Sequence, residues 1–281
     1  MSRFEIGVAS VGDTMLMAQW ATDEGWNVGL TDPLAFLAAD PEGFLMGRVD
    51  GEPLVSISVV KQGAGFGFLG FYIARPKVRG QGYGMRIWNA GMACLAGRNV
   101  GLDGLVAQQG NYRKSGFDLA WNNVRFEGAA PELSPPAGVT LVDARAVPFD
   151  RLAAYDRRFV PADRDAFLAL WLGLPQRASR VALRDGEIVG LAVMRACPAA
   201  FKVGPVYAAS PEIAAGLVSG LAKELKPRAV AIDVPDMNAP AIALAERIGL
   251  KPSSMSARMY TGPAPAIDRA GLFGVTSLEL G

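Results

Sequence analysis

The 281-residue chain predicts a mixed-sheet α/β (α+β) protein: two tandem copies of one unit, each a mostly antiparallel meander followed by a parallel strand–helix unit. Three observations carry this expectation. Apolar, strand-like runs at 44–49, 54–60 and 66–74 are joined by the tight-turn signals Asp50-Gly51 and Gly63-Ala64-Gly65. The third run passes through a glycine-rich loop into a helical stretch at 85–96, with Ile87, Trp88, Met92 and Leu95 on one face and Gly97 as a stop, and then into a strand-like run at 102–107. Strand, helix and strand in that order form a parallel crossover. Finally, RDGEIVGLAVM at 184–194 echoes VDGEPLVSISVV at 49–60, roughly 135 residues on, each with Asp-Gly-Glu at the turn.

The remaining elements follow from local signals. Residues 14–20 and 33–39 predict short helices, the second opened by Pro33 with Thr31 or Asp32 as cap. FVPADRDAFLALWL at 159–172 predicts an amphipathic core helix. GAAPELSPPAG at 128–138 is Pro-rich and aperiodic, which divides the chain into 1–128 and 139–281 with a linker at 129–138.

Composition narrows the chemistry. Lys and Arg number 28 against 27 Asp and Glu, a formal charge of +1 with no block of one sign, so neither nucleic acid nor an anionic membrane is an expected partner. The sequence has no histidine, which excludes Ser-His-Asp and Cys-His catalysis and His-ligated zinc; proton transfer falls to carboxylates, Tyr, Lys, Cys or water. Cys94 and Cys197 lie far apart in apolar surroundings without metal spacing, as expected of core filler in a reduced compartment, and no metal is expected. No stretch approaches a membrane span, and Met1-Ser2-Arg3-Phe4-Glu5 carries an acid where a signal peptide would be apolar, so a cytoplasmic location is expected.

The stretch ARPKVRGQGYGMRIW at 74–88 is the most informative. It ends Gly84-Met85, not Gly-Lys-Ser/Thr, so it is no P-loop; Gly80, Gly82 and Gly84 run G-x-G-x-G after a hairpin meander, not G-x-G-x-x-G after a first parallel strand, although Asp103 stands where a ribose-binding acid would. With no side chains in the way, the N–H groups of residues 79–84 can converge on a diphosphate at the start of the following helix, and Arg79 and Arg86 add charge. Arg79-x-x-Gly82-x-Gly84, behind a strand ending at Ala74 and followed by Pro76, resembles motif A of the GNAT acyltransferase family. The resemblance implies acetyl-CoA bound across Tyr72, Ile73, Ala74, Arg79, Gly80, Gln81, Gly82, Tyr83, Gly84 and Met85, with the backbone amides near 72–74 polarising the thioester carbonyl.

QQGNYRKSGF at 108–117 ends Tyr112-x-x-x-Gly116-Phe117, which resembles the close of the family's motif B and implies Tyr112 as the acid that protonates the departing thiolate. The family's Asn-x-x-Ala helix start is absent, since position 105 is Leu, so a shortened motif B helix is expected. DVPDMNAPAIALAERIGL at 233–250 resembles a fuller motif B, with Asn238, Ala241, Leu244 and Gly249 in register. In that second copy the segment placed like the coenzyme loop, AASPEIAAG at 208–216, lacks the glycines and carries Glu212, and Ala245 stands at the place of Tyr112. Residues 1–128 are thus expected to be the catalytic, coenzyme-binding domain and 139–281 a degenerate one.

The loop TDEGWNVGLTD at 22–32 lies where the family's loop overhangs the acyl end, and Asp23, Trp26, Asn27 and Asp32, with Gln108, are candidate contacts for an ammonium and an aromatic cover. Arg164, Arg258 and Tyr260 are expected on the surface, with a cleft-facing role as the alternative. The implied reaction is direct attack of a primary amine of a small molecule on the acetyl-CoA thioester, with Glu24, Asp23 or a water near Asp103 or Gln108 accepting the proton; the alternative is a non-catalytic coenzyme A-binding sensor or interaction module.

Overall fold

A computed structural model describes residues 3–281; Met1 and Ser2 of the N-terminal stretch lie outside them. The first copy comprises β1 (Phe4–Val8), α1 (Val11–Asp23), α2 (Asp32–Ala39), β2 (Phe44–Val49), β3 (Glu52–Gln62), β4 (Phe66–Ala74), α3 (Tyr83–Cys94), β5 (Asn99–Leu105), α4 (Gln109–Lys114) and β6 (Asp118–Gly128). The second comprises β7 (Thr140–Asp143), α5 (Phe149–Asp156), α6 (Asp165–Gly173), β8 (Arg177–Arg184), β9 (Glu187–Arg195), β10 (Phe201–Ala208), α7 (Pro211–Leu225), β11 (Val230–Pro235), α8 (Ala239–Arg247), β12 (Lys251–Tyr260) and β13 (Leu272–Gly274). The strand β1 had no counterpart in the sequence reading; it covers the edge of β2 in antiparallel register, Phe4 opposite Val49.

The predicted mixed α/β sheet is present. Its order is β1-β2-β3-β4-β5-β12-β6-β11-β10-β9-β8-β7, with β13 pairing β10, and only β4–β5 and β10–β11 pair in parallel among the described residues. The repeat seen in the sequence is built by the same turn twice. Asp50 and Gly51 have φ of 50° and 86°, Asp185 and Gly186 of 51° and 81°, the paired left-handed residues of the two-residue hairpin that matches strand twist. The copies are also interleaved: β12, from the second, lies between β5 and β6 of the first, and β6 pairs β11. One sheet therefore runs without a break past the linker.

A shared core locks the copies together on one face of the sheet. Phe36, Phe44 and Phe71 of the first pack in one cluster with Phe167, Trp171 and Tyr207 of the second, all fully buried. Phe36 of α2 stacks on Trp171 of α6 with ring centroids 5.9 Å apart, and the two positions are separated by the repeat interval. Burying each such side chain stabilises the fold by about 1.5–3 kcal/mol, so this aromatic cluster ties the copies together as a domain core would. On the opposite face of the first copy, Ile57, Val59 and Leu69 of the sheet meet Ile87 and Trp88 of α3 and Phe117. Cys197 is buried as expected of core filler, but Cys94 is exposed at the end of α3.

Candidate active site

The first copy's parallel pair opens into a gap. β4 and β5 pair from Phe66 opposite Asn99 to Leu69 opposite Leu102, and then diverge. β4 bends there because its register against β3 slips between Ser56 and Ser58, a bulge at which Phe71 takes φ 44° and its carbonyl accepts a hydrogen bond from Ser56 Oγ at 2.8 Å. Tyr72 to Ala74 line one side of the gap and Asp103 to Leu105 the other. Ile73 itself points into the shared core, so only the backbone of that residue is at the gap.

Beyond the gap, the loop reaches α3 through residues whose backbones suit an anion. Gly80 and Gly82 have φ of 77° and 84°, conformations open to glycine, and Gly82 caps α3. The first bond of the helix runs from Arg86 N–H to the Gly82 carbonyl, so the N–H groups of Tyr83, Gly84 and Met85 have no partner within the helix. Met85 is exposed, Gln81 donates to the Lys77 carbonyl at 2.9 Å, and the Tyr83 ring packs on Phe4 with centroids 4.9 Å apart. Arg79 donates through Nε to the Ala74 carbonyl at 2.8 Å and pairs with Glu24, while Arg75 pairs with Asp23 at 2.8 Å. Asp23 and Glu24 thus hold the arginines at the glycine loop; neither carboxylate lies free beside the gap.

Tyr112 stands at the gap on the short helix α4, six residues long, as the missing Asn-x-x-Ala start implies. Its ring lies against Gly104, where a Cβ would come within 2.2 Å of it, so glycine at this position is what allows the approach. Trp88 stacks on Tyr112 at 5.8 Å and meets Tyr72 edge-on at 5.1 Å, so two phenols pack against one indole. Burial pushes both phenols above their ordinary pKa, and for Tyr112 the nearness of Tyr72 adds to the rise. Both are proton donors at neutral pH. Gln108 is exposed and engaged with Asn111 at 2.7 Å.

The other candidate substrate contacts serve a different purpose. Asp32 is fully enclosed: Oδ2 accepts from Arg195 Nε at 2.8 Å and from the Gly29 N–H at 2.9 Å, and Oδ1 accepts from Arg177 at 3.2 Å. Asn27 is buried, donating to the Ala200 carbonyl at 2.8 Å and accepting from the Ala199 N–H at 2.9 Å. Both fasten the loop to the second copy, and Trp26 packs half-buried against the shared core. Asp32 and Asn27 are docking residues, their polar groups turned to partners in the second copy.

Arg164, Arg258 and Tyr260, expected on the surface, are buried. Arg164 pairs with Asp156 at 2.8 Å, and Arg258 forms a two-pronged pair with Asp103 at 2.8 and 2.5 Å, whose Oδ1 also accepts from Asn123 at 2.7 Å. Burial alone would lower the Arg258 pKa, but Asp103 outweighs it and holds the guanidinium above its usual range. Asp103, proposed above to hold a catalytic water, is therefore committed to Arg258 and Asn123. The three buried residues line or border a crevice between the copies of about 30 Å³, walled by Phe66, Phe68 and Phe159, which abuts a wider recess of about 400 Å³ at Gly65, Ala162 and Pro265.

The matching gap of the second copy is filled. β10 and β11 pair in parallel only from Phe201 to Val203; beyond that β13 pairs with β10, and the Val275 N–H donates to the Asp233 carbonyl at 3.0 Å. The segment 208–216, read above as the place of a coenzyme loop, begins α7 at Pro211 with Ser210 as cap. Asn238 is likewise a cap, accepting from the Ala241 N–H at 3.3 Å.

A splayed parallel pair below a glycine-rich helix start, with a phenol at its mouth, defines an acyltransferase of the GNAT class. Residues 152–274 match the family described as acetyltransferase (GNAT) domain. The chain is 30% identical over 275 residues to the holothin acyltransferase of Pseudoalteromonas sp. (strain SANK 73390), covering 97% of this chain and 93% of that one. Its fold is similar to those of a proposed acetyltransferase from Pyrococcus horikoshii (TM-score 0.82, 18% identity, 99% and 96% of the two chains) and a tandem GNAT protein from the clavulanic acid biosynthesis pathway (TM-score 0.66, 14% identity, 93% and 100%). The chain belongs to the GNAT acyltransferase family and is an enzyme of acyl transfer.

Proposed function

We propose that this enzyme moves an acetyl group from acetyl-CoA to a primary amine of a small molecule, at the gap of the first copy, by direct attack on the thioester. The observation that carries the reading is the contrast between the two copies: the β4–β5 gap lies open beneath glycine-rich amides, and the β10–β11 gap is occupied by β13. Three unpaired helix N–H groups and two left-handed glycines fit a diphosphate. In the gap, the backbone at 72–74 would orient the thioester, and Tyr112 would protonate the sulfur as the C–S bond breaks. Asp23 and Glu24, paired to arginines, support a role in ordering the coenzyme loop in place of the amine-binding role expected of Asp23 and the proton-accepting role expected of Glu24. No helix among the described residues is long and apolar enough to cross a membrane.

Calorimetry with acetyl-CoA should give one site per chain. Gly82→Val should abolish binding while the protein stays folded: the position is exposed, but φ 84° is hostile to a branched residue and costs about 1–3 kcal/mol locally, displacing the amides. Two equivalent sites, or unchanged affinity in Gly82→Val, would sink the assignment of the loop. The acceptor is sought by following acetyl-CoA consumption with holothin and a panel of small aliphatic and aromatic primary amines. Consumption with none of them would remove the amine reading.

A further inference from the structure

The walls of the first copy's gap are nearly free of charge. Tyr72 and Ala74 stand on the β4 side, Gly104, Leu105 and Val106 on the β5 side, and Tyr112 at the mouth. Strand geometry holds to the end of β5, since β12 pairs its other edge as far as Leu105 opposite Ser256. Side chains alternate along a strand, so Leu105 shares a face with Asp103, opposite the face on which the Tyr112 ring packs against Gly104. At that end of β5 the sheet is uncovered: Leu105 is 55% exposed and Val106 42%. Adjacent apolar side chains left in water at the edge of a reaction site suit the apolar body of a ligand.

The acids that the fold brings near the gap are engaged. Asp23 and Glu24 pair with Arg75 and Arg79. Asp103, the one acid on β5, is held by both prongs of Arg258 and by Asn123. Asp32 is enclosed with Arg195 and Arg177. Glu279 is 4% exposed, and the charges coupled to it are those of Asp103, Arg125 and Arg195 in the interior. Asp236 follows β11, three strands from β5 and so about 14 Å off at about 4.8 Å a strand, and its two oxygens accept from Asn122. The sequence has no histidine. An aliphatic amine, as basic as a lysine side chain at about 10.4, arrives as an ammonium at neutral pH. Stripped of water between these walls, it would meet no unpaired carboxylate among the described residues, either to offset its charge or to take its proton.

We propose that the acceptor is an amine uncharged at neutral pH, its nitrogen attached to an aromatic or heteroaromatic ring, and that this ring lies on Leu105 and Val106. This rests on the acetyl-transfer reading above and narrows its substrate class. Conjugation with the ring keeps the nitrogen unprotonated, so the amine enters the gap with no ionic charge to desolvate and no prior need of a base. Its lone pair forms the C–N bond to the thioester carbonyl carbon, the C–S bond breaks, and the thiolate takes the Tyr112 proton. The proton lost from nitrogen, made strongly acidic by acylation, passes to water at the exposed end of β5, and Tyr112 regains one from solvent. Nucleophile and thiolate acid then work from opposite faces of the sheet.

The test orders the amine panel by basicity, with aniline and 3-toluidine against cyclohexylamine and putrescine, in single-turnover transfer from bound acetyl-CoA at pH 7. The fastest acceptor of the panel should be one that is neutral at that pH. Transfer to aniline should stay level from about pH 6 to 9, whereas transfer to cyclohexylamine should rise about tenfold per pH unit, as its free-amine fraction does. Leu105→Glu puts a carboxylate on the proposed ring surface at an exposed position, so acetyl-CoA affinity and melting temperature should not move. In that variant kcat/KM should fall for aniline and rise for putrescine by about two- to fivefold, the scale of an exposed ion pair. A fastest acceptor that is an ammonium at pH 7, or a putrescine profile already level there, overturns the proposal alone. Wild-type selectivity in Leu105→Glu also overturns it, because the end of β5 is then not the acceptor surface. A wild type that binds acetyl-CoA but acylates no amine of the panel overturns the acetyl-transfer reading, and this proposal with it.

Discussion

Tyr112→Phe should bind acetyl-CoA as the wild type does and transfer the acetyl group more slowly by about 10² to 10⁴, the range a positioned general acid supplies. The phenyl ring keeps the stacking on Trp88 and the contact with Gly104, so the melting temperature should not move. What is lost is a donor required only as the thiolate leaves. Single-turnover transfer is the measurement, since a slow conformational step or product release would mask the loss in kcat. The pH profile offers a second check: with burial and Tyr72 holding the Tyr112 pKa above its usual 10, the wild-type rate should show no decline from loss of this proton below that pH. A wild-type single-turnover rate in Tyr112→Phe would remove the tyrosine from the mechanism and point to Tyr72, which meets the same Trp88 edge-on, as the donor.

Asp32→Ala should destabilise the protein by about 3–5 kcal/mol, because it leaves Arg195 and Arg177 enclosed at the interface without their counter-charge. For a chain of this size that corresponds to a fall of about 6 to 20 °C in the melting temperature. The arginines have few ways out. Both guanidiniums lie over the Trp171 ring, at 4.5 Å for Arg195 and 4.9 Å for Arg177, and the side chain of Arg195 is 1% exposed. Thermal melting in parallel with transfer kinetics separates this role from the substrate contact expected from sequence. An unchanged melting temperature with a raised KM would restore Asp32 to the pocket; the reverse pattern confirms a fastening between the copies.

The contrast between Asp32 and Tyr112 shows where sequence reading succeeds. Tyr112 was found because its signal is local: a phenol four residues before Gly116, close to the strand that it closes. The glycine loop is the same kind of feature, with φ values imposed by the chain's own turn. The hairpin echo was legible for that reason too, since Asp-Gly specifies one turn wherever it stands between strands. Asp32 and Asn27, by contrast, sit in a polar loop whose composition suits an ammonium and suits equally a neighbour 145 to 173 residues further along. No spacing rule distinguishes the two. Arg258 was expected at the surface because its partner Asp103 lies 155 residues away, and the insertion of β12 between β5 and β6 that joins them has no signature in either strand.

Periodicity, turn chemistry and glycine spacing are properties of neighbouring residues, and they sufficed for the two-copy α/β sheet, the anion-suited loop and the phenol beside it. Which gap stays open and which charges pair depend on where distant segments come to rest. β13 enters the second copy's gap only after the sheet has closed across both copies, and burial then makes each pairing decisive, because an unmatched charge that water would mask at the surface is costly in the interior.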